Sequence, residues 1–158
     1  MVFPYQDYKS MVKFYGNVGE NTTSLILPYP MKLAWDKSIT VNKISCHKLV
    51  AEGMLSAITE ELAVYGLQKI QELEMDIYGG CFNFRKMRGG NEMSRHAWGI
   101  AIDRNPEKNK LKDTGLTAQF AKPDYKKMME IWYKHGFINL GVEKNYDFMH
   151  FEYNGVAL

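Results

Sequence analysis

The sequence predicts an α+β fold in which helices pack on a small antiparallel sheet, within a single domain over residues 1–158. Two segments place apolar residues three and four positions apart, which is typical of amphipathic helices. Three other segments are rich in β-branched and aromatic residues, which is typical of strands. A chain of this length buries about two-thirds of its unfolded surface in one core. Its 46% hydrophobic and 24% charged residues are ordinary for a globular protein.

The first half of the chain contains one clear helix. Residues 1–45 are rich in Tyr, Pro, Gly and Asn, and we expect them to form loops and short extended segments that wrap on the core. Residues 47–65 are predicted to form an amphipathic helix that stops at Gly66. The apolar residues that define its buried face are Ala51, Leu55, Ile58 and Leu62.

The second half combines strands with one further helix. Residues 75–85 place β-forming residues on both sides of a Gly-Gly pair, which favours a strand with a bulge or bend. Residues 96–103 favour a second strand, whereas residues 105–122 show no regular pattern. Residues 122–137 favour a helix with proline in its first turn and glycine at its end. Residues 146–153 form the last predicted strand.

Composition excludes several classes of function. The net charge of +2 gives no electrostatic case for nucleic acid binding. No apolar run approaches the ~18 residues that cross a bilayer, so we expect no membrane insertion. Cys46 and Cys81 are too few for a disulfide framework, and we expect free, partly buried thiols unless an oxidising medium bridges them. Neither belongs to a C-x-x-C pair, which argues against a cysteine-bound structural zinc.

The stretch SRHAWGIAID at residues 94–103 contains two candidate metal ligands, His96 and Asp103. A hydrolytic zinc site needs three protein ligands and a fourth position for water. Residues separated by seven positions lie on opposite faces of a regular strand. The two side chains can therefore face one ion only if the segment bends, and Gly99 lies midway between them. The alternative is a loop histidine and an aspartate that caps a turn.

The stretch YDFMHFEY at residues 146–153 offers a third ligand, His150. Asp147 lies three residues earlier, close enough to share a site and accept a proton. Glu152 lies two residues later and would project from the same face of a strand. A carboxylate there can hold the other ring nitrogen of a ligand histidine. The alternative is a half-buried strand with polar residues on its wet face.

Together the two stretches resemble the S-x-H-x-x-G-x-A-x-D and D/E-x-x-H-[FW]-E signatures of the LAS-type zinc peptidases. That family includes the VanY-type D-alanyl-D-alanine carboxypeptidases, the VanX-type dipeptidases and the phage L-alanyl-D-glutamate endopeptidases. The resemblance implies a fold like that of the hedgehog signalling domain and the D-Ala-D-Ala peptidases. Eight residues fit the two signatures: Ser94, His96, Gly99, Ala101, Asp103, Asp147, His150 and Glu152.

The resemblance assigns roles to four of these residues. His96, Asp103 and His150 are implied to be the ligands of a Zn²⁺ ion. Asp147 is implied to be the general base, which takes a proton from the zinc-bound water and delivers it to the departing amine. For such a base, geometry relative to the metal matters more than intrinsic pKa.

The family also uses an arginine, before the serine motif, to hold a substrate carboxylate or the developing oxyanion. Arg85 in the stretch FNFR is our first choice and Arg88 the second. A guanidinium suits this role because it stays charged and presents a planar fork of donors. The alternative for each arginine is a solvated loop charge. Ser94 either binds substrate or caps its loop.

The remaining histidines and the tryptophans are expected to be structural. His47 and His135 stand at predicted helix ends, and we expect neither to be a metal ligand. Trp35, Trp98 and Trp132 are expected to lie in the core.

The resemblance implies a zinc-dependent peptidase that acts as a monomer on the peptidoglycan stem peptide, cutting between L-Ala and D-Glu. Asp147 stands where the dipeptidases carry Glu, which favours this endopeptidase branch. The alternative is a D-alanyl-D-alanine carboxypeptidase, and a more remote one is a non-catalytic zinc-binding module that has kept the metal.

The start of the sequence has no features of a signal peptide. We therefore expect a protein that is made in the cytoplasm and meets the wall after release through a holin or by delivery with a virion.

Overall fold

A six-stranded mixed sheet organises the computed structural model, which describes residues 7–83 and 94–155. The order of the strands across the sheet is β2-β1-β3-β4-β6-β5. Neighbouring strands are antiparallel except β1 and β3, which run parallel. The strands are β1 (Thr22–Leu33), β2 (Asp36–His47), β3 (Ile77–Gly80), β4 (Ala101–Arg104), β5 (Phe137–Asn139) and β6 (His150–Tyr153). The predicted α+β class is thus confirmed, with one parallel pair in the sheet.

Along the chain, the helices lie before the first strand and between later strands. The helices are α1 (Tyr8–Tyr15), α2 (Ala51–Tyr65), α3 (Leu67–Glu72), α4 (Lys126–Lys134) and α5 (Leu140–Lys144). Short 3-10 turns cover Arg95–Trp98, Gln119–Ala121 and Pro123–Tyr125. Within the described residues, no helix is both long and apolar enough to span a membrane.

The prediction of loops and short extended segments over residues 1–45 was partly wrong, because the described part of this region contains the helix α1 and long strands that form the β1–β2 hairpin. Alternate residues of β1 are buried, as expected for a strand with one face on the core. Pro28 and Pro30 obscure that pattern in the sequence. They are tolerated because the register between β1 and β2 shifts between Ile26 and Met31, where ladder hydrogen bonds are not required.

The helix predicted over residues 47–65 is confirmed, but its buried face differs from the predicted one. Of the four residues expected inside, only Ile58 is fully buried, and Leu55 is 41% exposed. The buried side chains of α2 are Met54, Ala57, Ile58 and Glu61. The buried face includes Glu61, so it is rotated around the helix relative to the predicted apolar face. The spacing of hydrophobic residues cannot identify a buried charge whose partner lies elsewhere in the chain.

The segment around residue 96 forms a 3-10 turn and then a strand, and not the continuous strand that was predicted. Ser94 caps the turn, and Gly99 ends it with φ +76° in the left-handed region. A Cβ at Gly99 would lie 2.8 Å from the backbone nitrogen of His47, so only glycine fits there. The chain therefore turns sharply at the glycine that the sequence marked.

Successive side chains of β4 point to opposite faces of the sheet, and one of these faces packs on the hydrophobic core. Ile102 belongs to the buried core cluster, and Arg104 reaches Glu61 of α2 on the same side. Asp103, between them, therefore points to the other face. Its partner across the β4–β6 ladder is His150, so the pairing of two strands brings both polar side chains together.

Two of the three tryptophans lie in the core as predicted. Trp98 and Trp132 are fully buried. The expectation for Trp35 was wrong, because it lies in the turn between β1 and β2 and is 66% exposed. Its ring centroid lies 6.4 Å from that of Tyr78 in β3.

Candidate metal centre

Three elements bring His96, Asp103 and His150 to one buried point. His96 comes from the 3-10 turn, Asp103 from β4 and His150 from β6. All three are at most 7% exposed. One ligand atom from each lies within 4.8 Å of the other two. The three residues that the sequence proposed as ligands are therefore neighbours in space.

The distances match those between ligands of one small cation. His96 Nε2 lies 3.2 Å from Asp103 Oδ2, and His150 Nδ1 lies 3.3 Å from Asp103 Oδ1. Ligands ~2.0–2.1 Å from a tetrahedral zinc are about 3.3 Å apart. The two imidazole rings meet edge to face, with centroids 5.1 Å apart and an interplanar angle of 83°.

The hydrogen-bond partners of the two rings fix which nitrogens carry protons. His96 Nδ1 is 2.8 Å from the carbonyl oxygen of Cys81, and His150 Nε2 is 2.9 Å from Glu152 Oε1. A carbonyl and an ionised carboxylate only accept, so these two nitrogens must donate. In the neutral rings, the other nitrogens are then bare lone pairs directed at Asp103. Such outer partners orient metal-binding histidines.

While both imidazole rings are neutral, two of the converging atoms have no hydrogen-bond partner. His96 Nε2 and Asp103 Oδ1 are buried without one. Lone pairs that face a carboxylate across 3.2 Å repel unless a cation lies between them. Two imidazole nitrogens and one carboxylate are a common donor set for catalytic zinc. The residues present therefore fit a metal ion, which supplies the positive charge that this arrangement requires.

Without a metal, a proton on His150 supplies part of the positive charge beside the Asp103 carboxylate. Burial lowers the pKa of His150, but contacts with the carboxylates of Asp103 and Glu152 outweigh it and raise that pKa to about 10. Burial raises the pKa of Asp103, but contacts with His150 and His96 hold it well below its ordinary value. The metal-free centre thus retains an ionised carboxylate beside a protonated imidazole. Metal binding must displace that proton.

Asp147 lies beside the triad in an unusual backbone conformation. One of its carboxylate oxygens, Oδ2, is 3.9 Å from His150 Nδ1, the ring nitrogen that also faces Asp103. Its side chain is 14% exposed. Its φ is +59°, in the left-handed region that aspartate tolerates better than most residues. Its backbone nitrogen donates to the Leu111 carbonyl at 2.9 Å, which fixes this turn.

The other predicted site residues have different outcomes. Ser94 is buried, and its hydroxyl accepts from the backbone nitrogen of His96 at 3.2 Å, as a cap. Its position favours the capping alternative. Arg85 and Arg88 lie outside the described residues, so their assignment to substrate stays a prediction.

The remaining histidines and the cysteines lie outside the triad. His47 Nδ1 accepts from the backbone of Leu49, and its Nε2 is 2.7 Å from the carbonyl of Tyr15. His135 Nε2 pairs with Glu60 at 2.9 Å. Cys46 and Cys81 are buried free thiols, and burial raises the pKa of the Cys46 thiol to about 11.

A buried ion pair between Arg104 and Glu61, on the core face of β4, was not predicted from the sequence. The side chain of Arg104 is fully buried and donates from Nη1 to both carboxylate oxygens of Glu61 at 3.1 Å. Its Nη2 donates to the hydroxyl of Tyr29 and to the carbonyl of Met75, and its guanidinium lies 5.5 Å from the ring centroid of Trp132. The one available signal was a charged residue immediately after Asp103 in an apolar strand, which predicts a buried partner.

Comparison with known proteins adds one match. A family model described as D-alanyl-D-alanine carboxypeptidase matches residues 88–153, which are fewer than half of the 158 residues. No curated protein and no solved structure matches the chain. The matched segment contains all three members of the buried triad. Residues 88–153 are therefore similar to the D-alanyl-D-alanine carboxypeptidase family, and they contain a buried His-Asp-His triad whose residues fit a metal ion.

Proposed function

We propose that the protein is a zinc-dependent peptidase that hydrolyses the stem peptide of peptidoglycan, at the bond between L-Ala and D-Glu. The observation that carries the proposal is the convergence of His96, Asp103 and His150 on one buried point, where His96 Nε2 lacks a hydrogen-bond partner. A purely structural cluster would pair that nitrogen, because an unsatisfied buried polar group costs ~1–3 kcal/mol.

His96 Nε2, a carboxylate oxygen of Asp103 and His150 Nδ1 would hold the zinc ion. When bound to such a site, zinc would lower the pKa of a bound water to about 7 and polarise the carbonyl of the scissile bond. Three protein ligands leave one position for solvent or substrate. Cys81 and Glu152 orient the two rings through the hydrogen bonds described above.

Asp147 would act as the general base. Its carboxylate is close to the ligand nitrogen of His150 but is more exposed than the triad, so it can reach a water that attacks the substrate. It would accept a proton from that water and pass it to the departing amine. The Leu111 carbonyl and the left-handed backbone hold the carboxylate in this position before substrate binds.

The scissile bond is inferred from the motif around Asp147. An aspartate at this position resembles the endopeptidase branch, in which the bond between L-Ala and D-Glu is cut. A second candidate, removal of the terminal D-Ala, is supported by the description of the family model that matches residues 88–153. The two reactions release different products from the same wall polymer.

Purified peptidoglycan incubated with zinc-loaded protein tests the proposal by mass spectrometry of the soluble products. We expect peptides that begin with D-Glu, and wall fragments that retain L-Ala on muramic acid. Loss of single D-Ala residues without new D-Glu termini would replace the endopeptidase assignment by the carboxypeptidase one. Absence of any new terminus would refute both.

Matched histidine variants separate the metal centre from general effects on folding. His150→Ala should lose both zinc and hydrolysis. His135→Ala removes a histidine whose partner is Glu60, outside the triad, and should retain both. Equal activity in the two variants would contradict the assignment of the centre.

A further inference from the structure

A second cavity, distinct from the metal centre, opens between the 119–125 turn, α4 and α5. Its volume is about 1040 Å³. This matches the upper end of the ~300–1,000 Å³ typical of sites for small organic molecules. None of the triad residues and neither Asp147 nor Glu152 lines it. The proposed peptidase reaction therefore leaves this cavity without a role.

The floor of the cavity is apolar. Phe120, Met129 and Phe148 line it and are each at most 8% exposed. Val142 forms part of the wall and is 53% exposed, which is high for a valine. A Cβ at Gly141 would overlap the ring of Phe148, so glycine lets that ring lie directly on the backbone of α5. These side chains give the cavity an apolar floor that a hydrocarbon chain can contact.

Charged side chains surround that floor. The charged residues that line the cavity are Glu60, Lys122, Lys126, Lys127, Glu130 and Lys134. Lys134 pairs with Glu60 at 2.8 Å, and Lys127 lies 3.8 Å from Glu130. Both glutamates are thus matched by a lysine, and the positive charge of the cavity exceeds its negative charge.

The excess charge belongs to Lys122 and Lys126. Neither forms an ion pair with any residue in 7–83 or 94–155. They are four residues apart across the start of α4, and both line the cavity. Asp124 lies between them in sequence but does not line it. Two ammonium groups at the border of an apolar floor favour a ligand with a negative head and an apolar tail.

We propose that this cavity binds an anionic amphiphile, a molecule with one acidic head group and an unbranched hydrocarbon chain. The head group contacts the ammonium groups of Lys122 and Lys126. The hydrocarbon chain lies on Phe120, Met129 and Phe148. Burial of the methylene groups of the tail provides most of the affinity, and the two lysines select the charge of the head group.

Methionine-methyl NMR tests the proposal at a residue inside the cavity. Laurate, added below its micellar concentration to ¹³C-methyl-methionine-labelled protein, should shift the Met129 signal to saturation. Met128 is fully buried and does not line the cavity, so its signal is the internal reference. Inorganic phosphate and the neutral detergent dodecyl maltoside, which have only the charge or only the tail, should bind at least tenfold more weakly.

Two sets of variants identify the determinants. Removal of two exposed charge contacts in Lys122→Ala/Lys126→Ala should weaken laurate binding about tenfold. The matched control Lys43→Ala/Lys48→Ala removes two exposed lysines outside the cavity and should bind laurate like the wild type. Val142→Trp should block the cavity and abolish the Met129 shift.

Three results would overturn the proposal. The first is a Met129 signal that does not respond to laurate. The second is dodecyl maltoside binding as tightly as laurate, which would identify an apolar site without charge selection. The third is equal weakening by the two lysine pairs, which would show a general effect of protein charge.

Discussion

Glu152 offers a quantitative test of the metal centre, because it acts on the metal only through His150. Its Oε1 accepts the Nε2 proton of that ring at 2.9 Å, and both residues are buried. Burial raises the pKa of Glu152, but contact with His150 outweighs this and lowers it, so the carboxylate is ionised at neutral pH. The ionised acceptor keeps the proton on Nε2 and leaves Nδ1 free for the metal.

Two substitutions divide this effect into its parts. Glu152→Gln keeps an acceptor oxygen but removes the charge, which weakens the hydrogen bond by about 1 kcal/mol. We expect zinc affinity to fall about fivefold. Glu152→Leu removes the acceptor and leaves a buried N–H unsatisfied, at ~1–3 kcal/mol. The proton can then move to Nδ1, and we expect affinity to fall about 10- to 100-fold.

Competition with a chromophoric zinc chelator measures these dissociation constants. Glu107→Gln, at an exposed glutamate paired with Lys37, is the control and should bind zinc like the wild type. Thermal melts of the zinc-free proteins establish that each variant is folded. Zinc binding by Glu152→Leu within twofold of the wild type would refute the role assigned to the carboxylate and the protonation pattern inferred for the ring.

Three other predictions concern catalysis, proton release and stability. Asp147→Asn should retain one zinc per protein by elemental analysis while hydrolysis falls by at least ~10²-fold; loss of zinc would instead make this residue a ligand. The raised pKa of His150, about 10, means that zinc must displace a proton at neutral pH. Zinc affinity should therefore fall about tenfold per unit as pH decreases from 8 to 6, and a flat chelator titration would contradict this. Arg104→Met leaves the Glu61 carboxylate buried without its cation and should cost ~3–5 kcal/mol in urea unfolding, whereas Arg104→Met/Glu61→Leu should recover most of that loss.

The parts of the centre that could be predicted from sequence are those fixed by local geometry. Gly99 between His96 and Asp103 predicted a bend, and the chain turns there because a glycine adopts a left-handed conformation at no steric cost. Glu152 was expected on the face of His150 because alternate residues of a strand share a face, and the hydrogen bond between them agrees.

The parts that could not be predicted depend on partners far apart in sequence. Cys81 contributes a backbone carbonyl to His96, and any residue type can supply a carbonyl. The same is true of Leu111, whose carbonyl fixes the backbone of Asp147. Glu61 is forty-three residues from Arg104, so helical periodicity gives no indication that the two side chains pair. In each case the contact depends on the tertiary fold and not on the local sequence pattern.

The buried ion pair between Arg104 and Glu61 has a consequence for the neighbouring ligand. Because side chains alternate along β4, a slip of one residue would turn Asp103 into the core and Arg104 toward the metal centre. That slip would bury a carboxylate among apolar side chains and separate Arg104 from Glu61, each at a cost of several kcal/mol. The ion pair on the core face thus fixes the register that places Asp103 opposite His150, and a charge that never contacts the metal helps to determine where its ligands lie.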